Sequence, residues 1–238
     1  MARYPLGPGR RVPRSAHRLA EADSVVVIGL GRFGRSLALQ LVDSGAEVLG
    51  IDEDEDLVQS LHGQLTHVVR ADSTREEALQ QLAVQDFDRA VVGIGNDVEA
   101  SILTASLLME FGVPQVWAKA TSEAHGRILH QIGVHHVVHP ESEMGRRVAH
   151  LVRGSMLDYV EVGQGFAMVT TSPPAEIVGR PLGQTGLRQR HGVTVVAVRH
   201  AGDGWTHAGT DTVLAPADTI IVAGPVRDAE RFSLLRRP

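Results

Sequence analysis

Cysteine is absent from this 238-residue chain, which excludes disulfides, thiolate metal sites and a cysteine nucleophile, and suits a reducing cytoplasm. Positive charge is not in excess either. The formal net charge is -5, which argues against general nucleic-acid binding by the folded body. No apolar run is long enough to span a bilayer, and no signal-peptide-like apolar stretch precedes Val25, so membrane association is expected to come only through a partner. What the chain does have is 43% hydrophobic and 21% charged residues, enough to bury a core as one large or two modest domains.

The most informative stretch is Val25-Val26-Val27-Ile28-Gly29-Leu30-Gly31-Arg32-Phe33-Gly34, an apolar run that empties into glycines and then into a helical pattern. It predicts a strand, a tight turn and a helix start. In such a turn the first glycine lets the chain reverse, the second keeps side chains away from an approaching phosphate, and the third lets the helix sit close on the strand. Free amides at the helix N-terminus then hold the anion. Gly45 closes that helix, Glu47 to Ile51 makes a second strand, and Asp52 ends it about where a ribose-binding acid belongs in a dinucleotide fold. An acid there accepts from both ribose hydroxyls and repels a 2'-phosphate, which disfavours NADP.

Residues Met1 to about Ala22 are rich in Arg and Pro and lack apolar periodicity, so they read as a disordered basic tail. From Val25 to about His139, short apolar runs alternate with amphipathic segments. The predicted order is strand 66–71, a helix opened by a Thr74–Glu77 capping box, strand 89–94, helix 98–111, strand 115–120, helix 122–131 and strand 135–138, after an earlier helix over 54–61. Six strands so connected make an α/β fold, a Rossmann-like doubly wound parallel sheet. A helix over 141–156 then carries Met144, Val148, Leu151 and Val152 on one face. A small α+β domain follows, with strands near 157–162, 166–171, 193–199 and 219–223 and helices near 182–190 and 227–235. The expected organisation is a tail over 1–22, a nucleotide-binding domain over 23–140, a connecting helix and linker over 141–157, and a second domain over 158–238.

Ligands of such sheets bind outside the carboxyl ends of the strands. The residues found there are Gly29 to Gly34 after the first strand, Asp52 after the second, Asp72 after the third, Gly95 and Asn96 after the fourth, Lys119 after the fifth and Glu141 after the sixth. Asp72 is placed to accept from an adenine amino group, with Gly95 and Asn96 lining the floor. The cations Arg32 and Lys119 suggest more anionic charge than a diphosphate joined to nicotinamide presents. Glu141 is either a helix N-terminal acid satisfying the macrodipole or a ligand for a divalent ion shared with a terminal phosphate. His125, His130, His135, His136 and His139 crowd one region across a helix, a turn and a strand, and read as surface and edge histidines rather than a zinc site. His191, His200 and His207 in the second domain show no catalytic spacing, which weighs against an NAD-dependent oxidoreductase and leaves no catalytic residue to name. An NAD(H)-binding regulator stays open.

The stretches VVVIGLGRFGRSLA, EVLGIDED, THVVRADST, VVGIGNDVEASILTASLL, VPQVWAKA and HHVVHPESEMGRRVA, followed by IVGRPLGQTGLRQRHGVTVVAVRH and ADTIIVAGPVRDAERF, resemble the KtrA/TrkA-type regulators of potassium conductance (RCK proteins), in particular the KtrA branch. The resemblance runs from about Ser24 to Phe232. It implies dimers assembled into an octameric ring on the cytoplasmic face of a KtrB-like transmembrane potassium transporter subunit, with ATP favouring the conducting arrangement and ADP an inactive one. It implies that Asp52 holds the ribose and Asp72 the adenine side. Arg32 would hold the terminal phosphate of a nucleotide in the neighbouring subunit, and Lys119 phosphate as well. Glu141 would bind an activating magnesium, calcium or sodium ion with the ATP γ-phosphate. The helix after Glu141 would be the crossover that ties dimer partners together. In some relatives the C-terminal domain binds cyclic di-AMP; Arg188 stands where one such contact is expected, with Gln184 where an acidic residue is expected.

Overall fold

The computed structural model describes residues 24–163 and 165–237; the basic tail lies outside them. The chain divides into two compact units, one ending at Pro140 and the other beginning at Glu141.

The first unit is a six-stranded, wholly parallel sheet in the order β3-β2-β1-β4-β5-β6. Its strands are β1 (Ser24–Ile28), β2 (Glu47–Asp52), β3 (His67–Arg70), β4 (Arg89–Val92), β5 (Gln115–Lys119) and β6 (His136–Val138). Between them lie α1 (Arg32–Asp43), α2 (Glu55–Ser60), α3 (Glu76–Gln81), α4 (Val98–Glu110) and α5 (Glu123–Gln131). All five residues of β1 are buried, as a central strand covered on both faces requires. Alternate residues serve opposite cores: Val26 and Ile28 pack with Leu108 and Leu129, while Val25 and Val27 pack with Ala38 and Leu61. This two-sided core makes the sheet doubly wound. The strand order reverses between β1 and β4, where the connections leave a crevice.

One expected helix start moves. α3 begins at Glu76, its capping position is Arg75 with no side-chain cap, and Thr74 instead bonds back to Asp72. Thr74 donates both its amide and its hydroxyl to the carboxylate two residues upstream, a local turn that precedes the helix rather than opening it.

The helix α6 (Pro140–Arg153) lies in the second unit from Glu141 onward, and that unit contains an antiparallel sheet ordered β10-β9-β11-β8-β7. The strands are β7 (Asp158–Gly163), β8 (Phe166–Thr171), β9 (Thr194–Arg199), β10 (Trp205–His207) and β11 (Thr219–Pro225), with the short helix α7 (Leu187–His191) and α8 (Val226–Ser233). Ala229 and Phe232 of α8 join the inward residues Tyr159, Ala167, Val169, Ile220 and Val222 in one core. The expected helix over 182–190 is broken. A 3-10 turn at Leu182–Gln184 stops at Gly186, whose φ of +63° lies in the left-handed region, and only then does α7 start. β10 has no counterpart in the sequence reading, since a three-residue edge strand with every side chain exposed leaves no alternation of burial.

Candidate functional site

β1 delivers the chain to Gly29, which turns at φ +89°. Two backbone hydrogen bonds set this corner: Gly29 N–H donates to the Ile51 carbonyl of β2 (2.9 Å), and Gly93 N–H donates to the Ile28 carbonyl (2.7 Å). A Cβ on Gly34 would lie 1.8 Å from the Gly29 carbonyl oxygen, so α1 can approach β1 this closely only with glycine there. A Cβ on Gly31 would meet nothing within 4 Å. That open space stands at the start of α1, whose first turn has neither a capping side chain nor an acidic residue. The arrangement suits an anion, because helix N-terminal amides carry partial positive charge.

Asp52 ends β2 beside this loop. Its Oδ2 accepts from Leu30 N–H (2.5 Å) and its Oδ1 from Asp54 N–H (2.9 Å), so the carboxylate braces the glycine loop as well as facing the crevice. Asp72 follows β3, and its Oδ1 accepts from both the backbone N–H (3.0 Å) and the hydroxyl (2.6 Å) of Thr74. The Thr74 hydroxyl, then its amide, and the nearby Arg75 charge hold the Asp72 carboxyl below its ordinary value despite some burial. Asp97 caps α4 by accepting from Ala100 N–H at 2.9 Å.

These groups converge. A cavity of about 170 Å³ at the strand-order reversal is lined by Gly29, Gly31, Asp52, Asp72, Gly95 and Asn96, with Leu57, Ala71 and Ala100 supplying apolar wall. Other sequence candidates are not on its lining. Gly34 is buried behind the loop, and Arg32 is exposed at the first position of α1. Lys119 is 9% exposed; its Nζ lies 5.8 Å from the Phe33 ring centroid and is the atom a Cβ on Gly95 would meet. Glu141 belongs to the second unit, in the first turn of α6. Arg188 lies far along the chain on α7, donates from Nε to Thr194 Oγ1 (3.2 Å), and lines a separate cavity of about 570 Å³ with Gly183, Leu187 and Thr210.

Two residues escaped the sequence reading. Gly93 also lines the first cavity, and a Cβ there would lie 2.9 Å from the Gly29 carbonyl oxygen. The signal was available, since Gly93-Ile94-Gly95 follows a strand as the glycine loop does. Ser73 was hidden: its hydroxyl lies 2.8 Å from Thr104 Oγ1 of α4, a buried pair joining segments 31 residues apart.

The histidine cluster needs a correction. His125 is neither a surface nor an edge residue; it is buried, with Nδ1 accepting from Thr121 N–H at 3.3 Å, because it sits on the inward face of α5 beside Leu129. Among the described residues no three His, Cys, Asp or Glu side chains stand together as a metal cluster, and no helix is long and apolar enough to cross a membrane.

The chain matches the TrkA-N domain over residues 25–140 and the TrkA-C domain over residues 166–235. It is 37% identical over 207 residues to the Ktr system potassium uptake protein C of Bacillus subtilis, covering 87% of this chain and 94% of that protein. It is 36% identical over 200 residues to the Ktr system potassium uptake protein A of Vibrio alginolyticus, covering 84% of this chain and 91% of that protein. Among solved structures, the GsuK RCK domain superposes with a TM-score of 0.63 at 19% identity, covering 100% of this chain but about half (51%) of that one. The GsuK channel bound to NAD gives 0.63 at 18% identity, with 91% of this chain and 40% of that chain covered. These two share the fold.

Proposed function

The chain belongs to the family of Ktr potassium uptake proteins built from a TrkA-N and a TrkA-C domain, and on that ground we propose that it is a nucleotide-sensing regulatory subunit of a potassium uptake system, not an enzyme. The observation that carries this reading is the single cavity on which the glycine loop, Asp52 and Asp72 meet. The open space at Gly31 and the uncapped start of α1 fit a phosphate chain, and the two acids fit the hydroxyl and amino groups of an adenosine.

In this proposal ATP or ADP occupies the first unit. Asp52 holds the ribose, Asp72 the adenine, Gly29, Gly31 and Gly34 shape the phosphate turn, and Gly95 and Asn96 form the floor. Phe33 and Lys119 lie to the phosphate side. Arg32, exposed at the head of α1, reaches the terminal phosphate of a nucleotide in a neighbouring subunit. Glu141 binds an activating cation (magnesium, calcium or sodium), with phosphate oxygens as the remaining ligands. α6 and the linker over 141–157 cross to a dimer partner, and dimers form an octameric ring on the cytoplasmic face of a KtrB-like transmembrane subunit. ATP and ADP differ by one phosphate, so a group that touches only that phosphate supplies the differential affinity a switch needs. Arg188 and the second cavity are the place for a further ligand such as cyclic di-AMP.

Equilibrium binding of ATP, ADP, NAD and NADH to the full chain, with and without magnesium or calcium, tests this. Tight ATP and ADP binding, with ATP alone strengthened by the divalent ion, is the expected result. Preference for NAD(H) would replace it with a redox-linked regulator. Glu141→Gln is expected to leave ADP binding nearly unchanged and to remove the cation's effect on ATP; equal losses for both nucleotides would remove Glu141 from the γ-phosphate.

A further inference from the structure

The segment Asp72–Thr74 is held from two sides. Ser73 turns inward, where its hydroxyl meets Thr104 of α4 in a buried pair at 2.8 Å. Thr74 turns back on Asp72 and places both its amide N–H and its hydroxyl on one oxygen, Oδ1, at 3.0 and 2.6 Å. No hydrogen bond from the described residues reaches the other oxygen, Oδ2. Asp72 lines the cavity, as do the apolar Leu57, Ala71 and Ala100. A cavity whose lining joins these apolar side chains to an ionised oxygen suits a base that offers an N–H there.

An ionised carboxylate oxygen accepts and cannot donate. It therefore welcomes a 6-amino purine and repels a 6-oxo purine, whose oxygen would face it without a proton between them. The carboxylate can do this only if it is kept from swinging, and from offering the wrong oxygen. The Thr74 hydroxyl is the side-chain group that prevents both.

Resting on the adenine-nucleotide reading above, we propose that Thr74 is a positioning residue for purine selectivity, holding Oδ1 of Asp72 so that Oδ2 meets the exocyclic amino group of adenine and rejects the oxo group of hypoxanthine. The Thr74 hydroxyl, then its amide, hold the Asp72 carboxyl below its ordinary value and so favour the ionised form that this contact needs.

The test compares binding of ATP and inosine triphosphate, which differ at that purine position, to the full chain as wild type, Thr74→Val, Thr74→Ser and Asp72→Asn, with thermal midpoints recorded for each. Wild type is expected to prefer ATP. Thr74→Val, which keeps the shape and loses the hydroxyl, is expected to shrink the preference about tenfold, mostly by weakening ATP, and Thr74→Ser to restore it. Asp72→Asn puts an amide donor at the edge and is expected to narrow or invert the preference, which keeps the test decisive if Thr74→Val folds poorly. An unchanged ratio in Thr74→Val, or equal loss for both nucleotides, overturns the proposal. Tight but equal binding of the two by wild type overturns it while leaving the regulatory reading intact. Failure of wild type to bind either one overturns both.

Discussion

Gly31 and Gly34 lie in one loop, yet a methyl group added at each meets different surroundings. At Gly34 it would overlap the Gly29 carbonyl, so Gly34→Ala must push α1 off β1. The expected cost is about 1–3 kcal/mol, read as a lower thermal midpoint, and a variant as stable as wild type would contradict the close approach. At Gly31 the methyl enters empty space and the backbone φ is -61°, which any residue adopts. Gly31→Ala is therefore expected to change stability by no more than about 0.5 kcal/mol while weakening ATP and ADP alike in titrations. His125 carries a pH dependence of its own. Burial, and then the charge of His139, hold its pKa below the ordinary 6.5. The unfolded chain takes up that proton first, so the contribution of His125 to stability is present above pH 6.5 and is lost as pH falls toward the native value. Thermal midpoints measured from pH 7 to 5 are expected to fall. His125→Asn, whose Oδ1 replaces Nδ1 as acceptor, is expected to start lower and flatten that slope. Both glycines were legible as residues from the motif alone; the burial of His125 was not, because a histidine on an amphipathic helix gives no sign of which face closes.

The helix α6 is held to the second unit in a different way from α8. None of its residues is fully buried; Leu151 packs half-buried against the core, and the helix is further tied by Arg147 to Asp158 (2.5 Å), His150 to Glu230 (2.6 Å), and the His150 ring stacked on Tyr159 at 4.1 Å. The Arg147 guanidinium in particular holds the Asp158 carboxyl below 3.8. That stabilisation is full above the unfolded value and is lost as pH falls through the lower folded one. Because Arg147 and Asp158 are both well exposed, Arg147→Ala is expected to cost only about 0–1 kcal/mol in denaturant unfolding. Its larger sign would be faster amide exchange in α6 at neutral pH. Phe232→Ala in α8 leaves a cavity in the core and is expected to cost about 3–5 kcal/mol by the same measurement. Equal effects of the two would refute this difference between the helices. At this scale the strands were legible, since runs such as Val25–Ile28 and Phe166–Thr171 are covered on one face or both and show it in their residue types. The ends of elements were less so. Thr74 has two partners to choose from, and Gly186 breaks a helix whose periodicity continues past it.

For the whole molecule, the side of α6 that carries Met144, Val148 and Val152 is apolar and uncovered, with exposures of 53%, 44% and 79%. Exposed apolar side chains on one helix face favour a covering partner, and a dimer partner is the occupant the proposed crossover supplies. On that proposal Val148→Asp is expected to shift the proposed dimer toward monomer by tenfold or more in light scattering, since a charge in a buried interface core costs about 2 kcal/mol or more. Nucleotide binding by the remaining monomer would still report on the cavity of the first unit, whereas an unaltered assembly would remove α6 from the interface. The sequence by itself determined the order of strands in the first unit, the two-part organisation and the residues at the strand ends, because burial periodicity and the φ demands of glycine are properties of a few neighbouring residues. Only the tertiary structure decided that Asp52 braces Leu30 across 22 residues and that Gly93 must be bare to let Gly29 pass. Those contacts depend on which strands lie side by side and how close they come, and hydrogen bonds formed at such distances along the chain leave no local pattern to read.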